Sequence, residues 1–154
     1  MSTMNTRIAL GFLVAGVLML VALFLARSHA VIFSYRESGN PTGDASWTIL
    51  NPFRDRAPEQ TSELLLKSLQ SGSNPDPFGK LSRVTPTYAS YLAKMEAEYP
   101  ITAWKLISRE DPEVAVRPAY RIARGTSSEL DSRVWITVQF RQGKWEVIDF
   151  DAWY

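Results

Sequence analysis

Two segments with apolar residues at helical spacing, followed by four in which apolar and polar residues alternate, predict an α+β domain. Helices that precede a run of short strands joined by tight turns pack most simply on one face of an antiparallel sheet. A third observation places this domain behind something else. Ile8–Ala26 (IALGFLVAGVLMLVALFLA) contains no charged residue and no polar stripe. At about 1.5 Å per residue it spans about 28 Å, close to the ~30 Å hydrocarbon core of a bilayer. The predicted architecture is therefore a transmembrane helix followed by two or more helices on a four-stranded antiparallel sheet.

The apolar run sets the expected address. Arg7 precedes it and Ser28-His29-Ala30 follows it, so a secretory signal peptide cut near Ala30 is one reading. The run is longer than the roughly 7–15 apolar residues of such a peptide, which favours an uncleaved signal anchor. Gly11 and Gly16 are five positions apart and make no GxxxG seam. Arg7 on one side and Arg27 and Arg36 on the other orient the helix weakly. The expected arrangement is a single-pass protein of a bacterial inner membrane, its lipid contact made by Ile8–Ala26 and its C-terminal domain exported.

Charge narrows the partners. Of 17 basic residues only Arg7 and Arg27 lie before Val31, whereas all 16 acidic residues lie after it. The domain is close to neutral and offers no general field for a phosphate backbone, so nucleic acid is not an expected partner. With no cysteine in the chain, disulfides, thiolate nucleophiles and a lipoprotein anchor are excluded. The organisation is thus a tail over 1–7, a transmembrane helix over 8–28, a linker over 29–46, an extended strap over 47–57 and a domain over 58–154. Gly39, Pro41 and Gly43 punctuate the linker. Trp47, Ile49, Leu50 and Phe53 make the strap too apolar for a tether, so it is expected to pack on the domain, or else to bind a partner.

Within the domain, Pro58 opens a helix where a missing N–H costs nothing. Glu59 and Glu63 suit its first turns, Leu65, Leu66 and Leu69 form an apolar face, and Gly72 suits its end. Ser73–Lys80 reads as turns. Thr85 caps a second helix with Pro86 at its first position, and Tyr88, Tyr91, Leu92, Met95 and Tyr99 recur at helical spacing before Pro100 stops it. The period then becomes two. Trp104–Glu110 is a strand, and Val114–Arg124 a second with Val114, Val116, Tyr120 and Ile122 on one face. Pro118 within it points to an edge or a bulge. Arg133–Arg141 alternates with Val134, Ile136, Val138 and Phe140 inward, and Gln142-Gly143 turns the chain into Lys144–Tyr154.

The helix PEQTSELLLKSL, the second helix and the closing VWITVQFRQGKWEVIDFDAW together resemble the nuclear transport factor two-like superfamily, with its cystatin-like α+β cone. The final hairpin from Trp135 to Asp149, turning at Gln142-Gly143-Lys144-Trp145, carries most of the likeness, which covers Pro58–Tyr154. The resemblance implies a curved sheet around a cone-shaped core. It leaves function open, because that fold hosts isomerases, dehydratases, epoxide hydrolases, binding modules and membrane-anchored assembly proteins.

Two candidate sites follow. Enzymes of the superfamily work inside the cone with an Asp, Tyr or His. His29 stands outside the domain, so no His-based triad or metal site forms within it, and no cofactor is implied. A ligand site in the cone would use Asp149, taken to share a face of the last strand with Asp151, Trp145, Val147 and Trp153. Its partners would be the hydroxyls of Tyr88 and Tyr91. The bland reading makes the carboxylates arginine partners and the tyrosines core. The other candidate is the opposite sheet face. Alternation gathers Arg117, Arg121, Arg133, Trp135 and Arg141 there, residue types that carry protein interfaces. A solvated face with arginine stems over apolar surface is the plainer alternative. The favoured expectation is a non-enzymatic interaction or scaffold domain that pairs with itself or an envelope protein. The alternative is a small-molecule cone around Asp149 and Tyr91.

Overall fold

The computed structural model describes residues 2–28, 30–35 and 47–153, with side chains at 8–22, 30–34 and 48–152. The described elements are α1 (Ser2–Ser28), β1 (Val31–Tyr35), β2 (Trp47–Leu50), α2 (Ala57–Ser71), α3 (Pro86–Glu98), β3 (Ile101–Glu110), β4 (Arg117–Arg124), β5 (Ser132–Arg141) and β6 (Lys144–Trp153). The fold is α+β, with a four-stranded antiparallel sheet in the order β3-β4-β5-β6. His29, most of the predicted linker and Tyr154 lie outside the described residues.

Large apolar side chains are exposed at successive positions of α1, among them Phe12, Leu13, Val14 and Val17 to Val21. They therefore occupy every side of the helix. Among the described residues no helix is long and apolar enough to cross a membrane.

Two residues beyond α1, Ala30 is buried and its carbonyl accepts the Asn51 N–H at 2.9 Å. The bond closes an antiparallel hairpin in which Phe33 faces Ile49 and Ser34 faces Thr48. β1 thus lies inside the stretch whose composition reads as linker and pairs with β2 in the strap. β2 flanks β3, the edge of the larger sheet, so the strap does lie along the domain.

α2 begins at Ala57, whose N–H is received by the Asp55 carboxylate at 3.0 Å. It ends at Gly72, where φ of +61° lets the N–H groups of Gly72 and Ser73 return to the carbonyls of Leu69 and Ser68. Thr85 caps α3 by accepting the Tyr88 N–H at 3.3 Å. α2 crosses all four strands. Leu66, Leu69, Phe78, Leu81 and Leu92 close over Tyr120, Ile122, Val134, Ile136, Val138 and Phe150. The rings of Phe78 and Phe150 lie 5.2 Å apart at 59°. These apolar groups fill the space between helices and sheet.

Four expectations change. Pro118 points to an edge or a bulge: β4 is internal, which removes the edge, while a register shift in β3 between Leu106 and Ser108 lies beside it. Val116 and Val138 exchange both backbone hydrogen bonds at 2.8 Å, and Ala119 pairs with Trp135 in the same register. Alternation places the missing Pro118 N–H toward β5, so the ladder skips one position without losing register. Val114 precedes β4 and is exposed, because the chain is still turning there. Phe140 continues the inward alternation of β5 but stands in solvent against Trp145, with ring centroids 5.4 Å apart. Finally, the register of β6 shifts between its pairings with Thr137 and Val138. Val147 pairs with Val138 and Trp145 with Phe140, while Asp149 pairs with Thr137 and Asp151 with Trp135. One extra residue, Ile148, therefore puts the two aspartates on the face opposite Trp145 and Val147.

Candidate functional site

The outer sheet face is built by cross-strand register. Lys105 of β3 pairs with Arg121 of β4, which pairs in turn with Arg133 of β5. Three cationic residues thus stand in one row across three strands. Like charges directly opposite one another repel, so the row concentrates positive charge on this face. One step along β5 on the same face, Trp135 is half-buried. The guanidinium carbons of Arg117 and Arg133 each lie 5.4 Å from its ring centroid. Arg117 also pairs with Asp151 at 3.2 Å, and both remain about one-third exposed. Ala119, opposite Trp135, is buried beneath this group.

Arg117, Arg121, Arg133 and Trp135 are thus brought together, as alternation expects. Arg141 is not. It lies six positions further along β5, about 20 Å away at ~3.3 Å per residue, where its Nε donates to Gln139 at 2.8 Å. Lys105 is the member that sequence reasoning missed. Its outward direction is legible from Trp104 and Leu106, but its alignment with Arg121 depends on strand pairing.

Of the cone candidate, Tyr88 and Tyr91 lie together, and Asp149 is near enough for its charge to act on Tyr88. The Tyr88 hydroxyl accepts the Ala152 N–H at 3.4 Å near the end of β6. Burial raises its pKa, the Ala152 N–H opposes that rise, and the negative charge of Asp151 adds to it. Tyr91 stacks on Tyr88 with centroids 6.1 Å apart and is largely exposed. Asp149 lies on the outer face and receives the N–H of Phe150 at 3.0 Å. Among the described residues no hydrogen bond joins Asp149 to either tyrosine. A groove of about 410 Å³ opens elsewhere, between the C-terminal half of α2 and α3, beside Gln70, Asn74, Phe78 and Glu96.

A buried ion cluster also escaped the sequence. The Glu59 carboxylate receives Arg54 through Nε at 2.5 Å and Nη2 at 2.7 Å, and Arg109 Nη1 at 3.3 Å. Arg54 further donates to the Asn51 carbonyl at 2.8 Å, and Arg109 to the Asp55 carbonyl and, at 2.7 Å, to Asp111. The three charged side chains are each no more than 9% exposed. The cluster joins the strap, α2 and the end of β3. Every member has a protein partner, and its role is mechanical.

No protein-family model matches this chain, and no curated protein or solved structure matches it.

Proposed function

We propose that the chain is a membrane-anchored interaction domain of the nuclear transport factor two-like kind, whose outer sheet face receives an acidic surface of a protein partner. The observation that carries this reading is the row Lys105, Arg121, Arg133 beside the Trp135 indole. Opposite charge brought to such a row meets several cations at once, which is the complementarity that steers and registers an acidic partner. An aromatic ring at its flank supplies the apolar contact that interface centres use. The anchor is supported by the uncharged run Ile8–Ala26 and by the apolar exposure of α1, because a helix apolar all round needs lipid or protein about it. The buried apolar cluster between the helices and the sheet supports this reading over a ligand-binding cone.

The test is photo-cross-linking from position 135 of the full chain in its own membranes, with adducts identified by mass spectrometry. The expected result is a specific adduct to a membrane or envelope protein, lost in Arg133→Glu. An adduct to a second copy alone would replace the partner by a homodimer. No adduct, together with unchanged co-purification in Arg133→Glu, would sink the reading.

A further inference from the structure

The hairpin that follows α1 presents apolar side chains outward. Ile32, Phe33, Ile49 and Phe53 are each between 47% and 62% exposed, although β2 lies along β3. Phe33 and Ile49 share a face as cross-strand partners, and Ile32 sits where the register shifts. Phe53 follows in a turn fixed by Asn51, whose side-chain oxygen accepts the Phe53 N–H at 2.9 Å. An apolar group of this kind calls for an occupant, and chain length says which one.

α1 ends at Ser28 and Ala30 is already bonded to Asn51. Two residues reach at most about 7 Å. The polar boundary layer of a bilayer is of similar thickness, roughly 5–8 Å on each side of the hydrocarbon core. If the apolar run spans the bilayer and ends at Ala26, two helical residues and two extended ones keep the base of the hairpin within about 10 Å of the hydrocarbon, in or beside that layer. Asn51, Arg54, Glu59 and Arg109 then hold the hairpin to the domain, so the outward apolar side chains cannot be turned away independently. We infer that the β1–β2 hairpin is a second membrane contact, with Ile32, Ile49 and Phe53 seated at the boundary between headgroups and acyl chains. This rests on the reading of α1 as an anchor. It adds that the domain is held against the bilayer in a fixed pose.

The absence of native cysteine makes the test direct. Single cysteines replace Ile49, Phe53, Tyr99 or Leu18 in the full chain, each labelled with an environment-sensitive fluorophore. The chains are reconstituted in phosphatidylcholine–phosphatidylglycerol vesicles, with nitroxide lipids labelled near the headgroup or near the chain end. Tyr99 is the control, exposed and placed before β3, at the opposite end of that strand from Arg109. Leu18 reports the anchor by itself. The expected result is blue-shifted emission at positions 49 and 53, quenched at least about twofold more by the headgroup-proximal nitroxide than position 99. Position 18 is quenched by the deep one.

If position 18 is quenched while 49 and 53 emit as in water, the hairpin contact is wrong and the anchor stands. If position 18 escapes quenching, both readings fall. Blue-shifted emission at 49 and 53 without lipid quenching would mean that protein covers the face. Quenching at position 99 equal to that at 49 would remove the fixed pose. Either of these last outcomes overturns the inference.

Discussion

The Arg109 guanidinium reaches the Glu59 carboxylate at 3.3 Å although fifty positions separate them, and Arg54 grips the same carboxylate bidentately. Removing the shared anion takes a buried carboxylate from both cations, of which Arg109 keeps Asp111. Glu59→Gln is expected to destabilise the full chain by about 3 kcal/mol, the lower part of the range for broken buried pairs, because both arginines keep carbonyl partners. Urea unfolding followed by circular dichroism in mild detergent measures it. A loss within about 0.5 kcal/mol, as for an exposed pair, would contradict the assignment.

Tyr120 is the largest fully buried side chain, and its hydroxyl donates to the Glu59 carbonyl at 3.3 Å. Burial raises its pKa above the ordinary tyrosine value; the Ser62 hydrogen bond opposes this, and Glu63 and Glu59 add to it. The folded state therefore holds the proton more tightly than the unfolded chain. That contribution is whole below about pH 10 and is lost as pH rises from there toward the folded value. Stability should fall in this alkaline window. Tyr120→Phe should flatten the fall and cost about 1 kcal/mol at neutral pH through the lost hydrogen bond. Parallel urea titrations at neutral and alkaline pH test both.

Lys105 offers a way to separate stability from recognition. It is exposed and lies opposite Arg121. Lys105→Gln removes a like-charge neighbour, so stability should hold or rise by up to ~0.5 kcal/mol, while capture of an acidic partner weakens. A joint loss of stability and capture would show that the row is structural. Its effect should shrink at high salt, since exposed charges are screened.

The β5–β6 turn has positive φ at both central residues, 49° at Gln142 and 84° at Gly143. A side chain with a Cβ pays for the left-handed region at Gln142, while glycine enters it freely. Gln142→Asn should stabilise the hairpin by up to ~1 kcal/mol and Gly143→Ala should destabilise it by about 1 kcal/mol or more. Melting temperatures of the two variants should move in opposite directions.

Helices and strands were legible because their signals are local. Thr85-Pro86, Gly72 and Pro100 mark ends through backbone chemistry, and Val134, Ile136 and Val138 show their face by alternation. What was not legible is what strand pairing decides. Ile148 carries no mark of a bulge, yet it moves Asp149 and Asp151 to the other face. A register shift between Leu106 and Ser108 likewise breaks the simple alternation of β3 and aligns Arg109 with Pro118, on the face where it meets Glu59. The arginine face could be drawn up from alternation alone, but the alignment of Lys105, Arg121 and Arg133 could not.

The bond between Ala30 and Asn51 changes what residues 36–46 can do. It ties the end of α1 to the start of the domain without passing through that segment. With α1 in a bilayer, the height of the domain would be set by the two steps from Ser28 to Ala30. Lengthening 36–46 with glycine and serine should therefore leave the distance from domain to membrane unchanged by energy transfer, whereas the same insertion after Ser28 should release the domain outward.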